Sequence, residues 1–237
     1  MRPFSAAIAS ENARGYVALI PDIKCVSPKE GDLLKGRDPV EISRQLRGYG
    51  APVLSVVTER EYFGGSPKLL RNIVKSTGLP VLRKDFITHS NMLTETVELG
   101  AAAVLLICAI TDEGNLRRLY EKALSLSLEP LVEVHNATEM EFACKLGARL
   151  IGINNRDITT FERDGGGPSL TAALATGAPF NALLVSESGI TTPDEARQAA
   201  SSGANAILAG TALWQARDME AAYRSLRVER SEACDRW

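Results

Sequence analysis

The chain has 237 residues, 45% of them hydrophobic and 24% charged, with 27 lysines and arginines set against 29 aspartates and glutamates. This near balance leaves no global basic field, which excludes nucleic acid as the default partner but not a local basic pocket for a small anion. Four cysteines (Cys25, Cys108, Cys144, Cys234) and two histidines (His89, His135) lack metal-ligand spacing, and no apolar run approaches the roughly 18 residues of a membrane span.

The opening stretch MRPFSAAIASENARGY holds no apolar run of signal-peptide length and reads as a short segment before the first strand. Apolar, β-branched runs then recur at 17–24, 52–58, 80–85, 102–109, 130–134, 150–155, 182–188 and 205–210. Stretches of helical spacing lie between them, most clearly 39–50, 115–127, 138–147 and 193–203. Gly50, Gly78, Gly100, Gly147 and Gly203 each stand between an expected helix and the next strand, as helix-terminating glycines do. Thr191 or Thr192 ahead of Pro193 reads as a helix cap. Near-continuous apolar strands alternating with helices imply a parallel sheet covered outside. Eight such units without a long linker predict a single (βα)8 TIM barrel over 1–237, with an open doubly wound sheet as the competing architecture. Residues 164–168 read as a flexible loop, and the tail from Val228 as frayed.

Polar residues gather at one end of these strands: Asp22, Lys24, Ser27, Glu59, Lys84, Asp85, Glu133, Asn154, Arg156, Glu187 and Ser188. The opposite ends read as apolar or turn-like. In a (βα)8 barrel the functional groups come from the C-terminal strand ends. Asp22 and Lys24, two apart, share one face of the first strand. If that face is inward, they meet Lys84 and Glu133 at the barrel mouth. Two amines and two carboxylates in a partly dry pocket suit paired acid and base roles. A lysine beside a second lysine is expected to lose its proton more easily. The segments 186–190 (SESGI) and 209–212 (AGTA) close the seventh and eighth strands, where this fold binds phosphate through backbone amides. Gly189 and Gly210 permit close backbone approach, and Thr211 adds a hydroxyl.

IKCVSP (23–28), LSVVTEREYFGGS (54–66), PVLRKDFI (80–87), AVLLI (103–107), LVEVHN (131–136), IGINNRD (151–157), VSESGI (185–190) and AILAGTAL (206–213) resemble, in order, the strand-end motifs of indole-3-glycerol-phosphate synthases. The resemblance implies closure of an indole ring on 1-(2-carboxyphenylamino)-1-deoxyribulose 5-phosphate, with loss of carbon dioxide and water and no cofactor. It implies Lys84 as general acid, Glu133 as general base and Lys24 as an anion-holding residue that assists proton transfer. Glu187 would support the lysines, and Asp22 stands where the family carries glutamate. Asn154, Arg156 and Ser188 would hold sugar hydroxyls or the carboxylate, and Ser27 matches the family's serine after the first strand. Phe86 and Leu105 would line the aromatic pocket; Gly189, Gly210 and Thr211 would take the phosphate. The partner implied is a phosphorylated small molecule, with neither nucleic acid nor membrane, for a cytoplasmic monomer or homodimer.

Pro21-Asp22 departs from the family's Ala-Glu, and a proline inside a barrel strand removes a ladder donor. THSNML after PVLRKDFI also departs, with His89 read as a surface residue, and the N-terminal segment is shorter than usual. These departures keep open an alternative, a divergent paralogue acting on a related aminodeoxyribulose phosphate.

Overall fold

The computed structural model describes residues 3–156 and 167–230. Residues 164–166 of the expected loop, Cys234 and the chain beyond Arg230 lie outside them. Eight parallel strands close into a barrel: β1 (Ala18–Ile23), β2 (Leu54–Val57), β3 (Val81–Lys84), β4 (Ala103–Ile107), β5 (Glu129–Val134), β6 (Leu150–Asn154), β7 (Leu183–Glu187) and β8 (Ala206–Ala209). β1 completes the ring by pairing with β8 on one side and β2 on the other. A small antiparallel hairpin, Val26–Ser27 with Gly31–Asp32, follows β1 outside the barrel.

The helices are α1 (Phe4–Asn12), α2 (Pro39–Gly48), α3 (Pro67–Thr77), α4 (Ser90–Leu99), α5 (Glu113–Ser125), α6 (Ala137–Leu146), α7 (Ser169–Ala175), α8 (Pro193–Ser201), α9 (Thr211–Gln215) and α10 (Met219–Leu226). Local chemistry sets their ends. Asp38, Ser66, Asp112, Asn136, Thr192 and Asp218 each accept a backbone N–H of the first turn. Thr192, rather than Thr191, is the cap of α8, in a reciprocal pair with Glu195. Gly78, Gly100 and Gly147 end their helices in the left-handed conformation.

Pro21 does not break β1. Residues 18–21 of the strand pair with β8, and Asp22 and Ile23 pair with β2. The proline therefore sits where the ladder passes from one neighbour to the other.

Two readings are corrected, that of the apolar strand starts and that of the frayed tail. The N-terminal segment forms α1, whose Phe4 and Ile8 are fully buried. They pack into the barrel interior against Ala18, Val53, Ala103 and Leu150, all at or near strand starts, so α1 plugs the N-terminal mouth. Glu129, at the start of β5, accepts the backbone N–H groups of Phe4 and Ser5, so that end is not purely apolar. Val228–Arg230 are not frayed: Val17 N–H donates to Val228 O at 2.9 Å and Arg230 N–H to Gly15 O at 2.9 Å. Arg227 lies over Tyr16 at 3.6 Å and bonds Glu11. Strand pairing alone could not reveal these contacts, because they join segments at opposite ends of the chain.

Candidate active site

The C-terminal strand ends surround a cavity of about 650 Å³ lined by Asp22, Lys24, Val57, Phe63, Lys84, Phe86, Leu105, Ile107, Glu133, Asn154, Arg156 and Ser188, among others. An adjoining recess of about 430 Å³ shares Asp22, Lys24, Lys84, Arg156 and Ser188, and adds Gly189, Gly210 and Thr211. Most of the expected residues thus meet in one place. Ser27 does not: it is buried in the hairpin after β1, where its Oγ accepts Glu30 N–H at 3.4 Å, and it lines neither space. His89 is exposed at the start of α4.

At the centre, Lys84 donates to Glu187 Oε2 at 3.2 Å and to Glu133 Oε2 at 3.4 Å. Glu133 is 1% exposed and Glu187 fully buried. Gly152 on β6 makes room for Glu187, since a Cβ there would stand 1.9 Å from its Oε1. Burial opposes the lysine's charge, but Glu187, Glu133 and Asp22 outweigh it and raise the Lys84 pKa. This reverses the expectation that a second lysine eases its proton off, because carboxylates surround it. Burial likewise works against the charge of Glu133, yet Lys84 and His135 hold that carboxylate below the usual range. Glu187 goes the other way: burial raises its pKa, Lys84 opposes this, and the charges of Glu133 and Asp22 add to the rise. Two carboxylates sharing one lysine are pushed apart, as acid–base pairs require.

Around this triad, Asp22 accepts the Ser55 hydroxyl at 2.6 Å, and Trp214 Nε1 donates to Asp22 O at 2.9 Å. Lys24 Nζ lies 5.7 Å from the centre of the Phe63 ring. Glu59, noted as a strand-end charge, turns back to accept the N–H groups of Glu61, Tyr62 and Phe63, which fixes the loop carrying Phe63. Gly65 anchors that loop, since a Cβ there would stand 2.3 Å from Val57 O. Asp85, which also lines the cavity, accepts Thr58 Oγ1 at 2.5 Å and Arg83 at 3.1 Å.

Ser188 holds a positive φ of 64°, unusual for a residue with a side chain. Asn155 secures it: its amide donates to Ser188 O at 3.1 Å, Glu187 O at 2.8 Å and Ser186 Oγ at 3.1 Å. Its oxygen accepts both the N–H and the hydroxyl of Thr171, which joins Ser186 at 2.7 Å. The sequence reading passed over Asn155 for its neighbours Asn154 and Arg156. It also passed over Phe63 and His135. His135 stands two residues after Glu133, so the strand period already placed both on one face.

Among the described residues no cluster of three or more His, Cys, Asp or Glu is arranged to hold a metal ion, and no helix is long and apolar enough to cross a membrane.

A profile of the family described as indole-3-glycerol phosphate synthase matches residues 1–226. The protein of that name from Pyrococcus furiosus is 46% identical over 198 residues, covering 84% of this chain and 86% of its own. That of Pyrococcus abyssi is 44% identical, covering 87% and 90%, and that of Deinococcus radiodurans 40% identical, covering 92% and 81%.

Proposed function

The chain belongs to the indole-3-glycerol phosphate synthase family, and from that membership we infer that Lys84, Glu133 and Lys24 carry the family's reaction here. The enzyme is a decarboxylating lyase that converts 1-(2-carboxyphenylamino)-1-deoxyribulose 5-phosphate to indole-3-glycerol phosphate, carbon dioxide and water. The relatives favour this activity over that of a divergent paralogue.

The observation that carries the residue assignment is the Lys84 ammonium held between two buried carboxylates at the cavity floor. Its raised pKa keeps it charged at working pH, so the acid is loaded before substrate arrives. It donates to the ribulose ketone oxygen as the aromatic carbon bearing the carboxylate attacks. Carbon dioxide then departs, and a second proton lets the former ketone oxygen leave as water. Glu133, ionised at rest, takes the carbon-bound proton lost in that dehydration. Lys24 and Arg156 line both spaces and suit the two anionic ends of the substrate. Ser188, Gly189, Gly210 and Thr211 would receive the phosphate; Phe86, Leu105 and Phe63 would hold the aromatic ring. Asp22 would fix the first strand's end beside Lys24, with Ser55 as its support, and Asn154 would orient the sugar. The same reading has the enzyme in the cytoplasm, as a monomer or homodimer.

Incubation with the carboxyphenylamino-deoxyribulose phosphate is expected to yield indole-glycerol-phosphate fluorescence. Lys84→Ala should lower kcat by about 100-fold or more while largely sparing affinity for the phosphorylated substrate. Retained turnover would remove Lys84 as the acid.

A further inference from the structure

The reaction consumes a proton. The substrate carboxylate leaves as neutral carbon dioxide and the ketone oxygen as neutral water. That oxygen receives two protons, the dehydration returns one from carbon, and the remaining one comes from solvent. Lys84 brings that proton already loaded, and with ligand filling the barrel mouth a second way in lets it be recharged before product leaves.

Glu133 has two faces. Its Oε2 meets Lys84 in the cavity, and its Oε1 points away toward His135, whose Nε2 is 3.3 Å from it. The ring's other nitrogen, Nδ1, is 3.1 Å from Glu139 Oε2 on α6. Glu139 in turn lines a separate cleft of about 430 Å³ with Cys108, Thr111, Glu113, Leu116, Thr138 and Phe142. None of these residues lines the substrate cavity.

We propose that His135 and Glu139 form a proton entry relay, carrying one proton per turnover from the cleft beside α5 and α6 to Glu133 and on to Lys84. The protonated ring releases its Nε2 proton to Glu133, and Glu133 passes it across the 3.4 Å contact to Lys84. The ring, left neutral with its proton on Nδ1, then turns over to bring its bare nitrogen to Glu139 and is recharged there from the cleft. The facing charges are suited to this. Burial opposes a charge on His135, but Glu133 and Glu139 raise its pKa to about 10, so it rests protonated. From β3 comes the Lys84 ammonium and from β7 Glu187; beside β4 and α5 stand Cys108 and Glu113. Burial with Glu139, Glu133 and Glu113 pushes the Cys108 thiol up to about 12, so it stays neutral and does not compete for the ring's charge. At rest His135 Nε2 and Glu133 Oε1 are close but out of line for a hydrogen bond, and both are buried without another such partner. A small turn of the ring aligns them.

This relay rests on Lys84 and Glu133 having the roles inferred above, and the two can fail separately. His135→Ala should lower kcat about tenfold or more with KM moved less than about twofold. Added imidazole, small enough for the cleft, should restore kcat in a dose-dependent way, and the solvent deuterium isotope effect should rise before rescue. Lys84→Ala should not respond to imidazole. Glu139→Gln, which preserves the shape of the α6 start, should also lose kcat. Full kcat in either folded variant, or a His135→Ala defect that imidazole leaves untouched, would overturn the relay while leaving the Lys84 assignment standing.

Discussion

Glu187 shows how a single side chain can serve the site at the fold's expense. Its carboxyl is fully buried, and burial with neighbouring negative charge raises its pKa despite Lys84. A carboxyl whose folded pKa lies above its unfolded value favours the fold while protonated, and that advantage is lost as pH rises through the folded value. Glu187→Gln removes the titration. The variant should therefore gain thermal stability relative to the parent as pH is raised from about 5 to about 8. It should lose activity throughout, because Lys84 loses its 3.2 Å partner. Melting curves at the two pH values check the sign, and an advantage that shrinks with rising pH would refute it.

Among the elements, the end of β6 and the turn after β7 depend on each other through Asn155. That one amide satisfies three oxygens and its own oxygen receives two donors, all in buried or nearly buried surroundings. Such a closed polar network is costly to open, at about 1–3 kcal/mol per orphaned group. Its product is the placement of Ser188 and Gly189 at the recess proposed to take the phosphate. Asn155→Ala should raise KM for the phosphorylated substrate about tenfold and change kcat less than about threefold. Equal loss in both parameters would instead place Asn155 among the groups that act on the transition state. Nothing in the local pattern INNRD distinguishes the roles of its two asparagines, because only the position of β7 decides which one meets Ser188.

At the scale of the molecule, the two ends of the barrel have separate tasks. The C-terminal mouth carries the polar cavity, while α1 closes the N-terminal mouth with Phe4 and Ile8. The N-terminal segment, shorter than is usual in the family it resembles, places its helix at the mouth opposite the polar cavity. Phe4→Ala should cost about 3–5 kcal/mol of stability and lower the melting temperature, with KM at the opposite mouth unchanged. A shifted KM with unaltered melting would contradict this division.

Much of this was readable in the chain itself. Strand positions followed from apolar runs bounded by glycine, because a parallel strand buried on both faces must be apolar and its helix must stop before the next begins. Lys24, Lys84 and Glu133 stood out because charges at the ends of such strands are costly without a partner. The partners themselves were not readable. Lys84 has its proton held rather than loosened because folding sets Glu187, from a segment about a hundred residues away, beside it. The same holds for α1 under the barrel, for Asn155 behind Ser188 and for His135 between two carboxylates. Periodicity along one segment fixes which face a side chain takes, but burial and charge depend on segments brought together from elsewhere, and those the closed barrel alone decided.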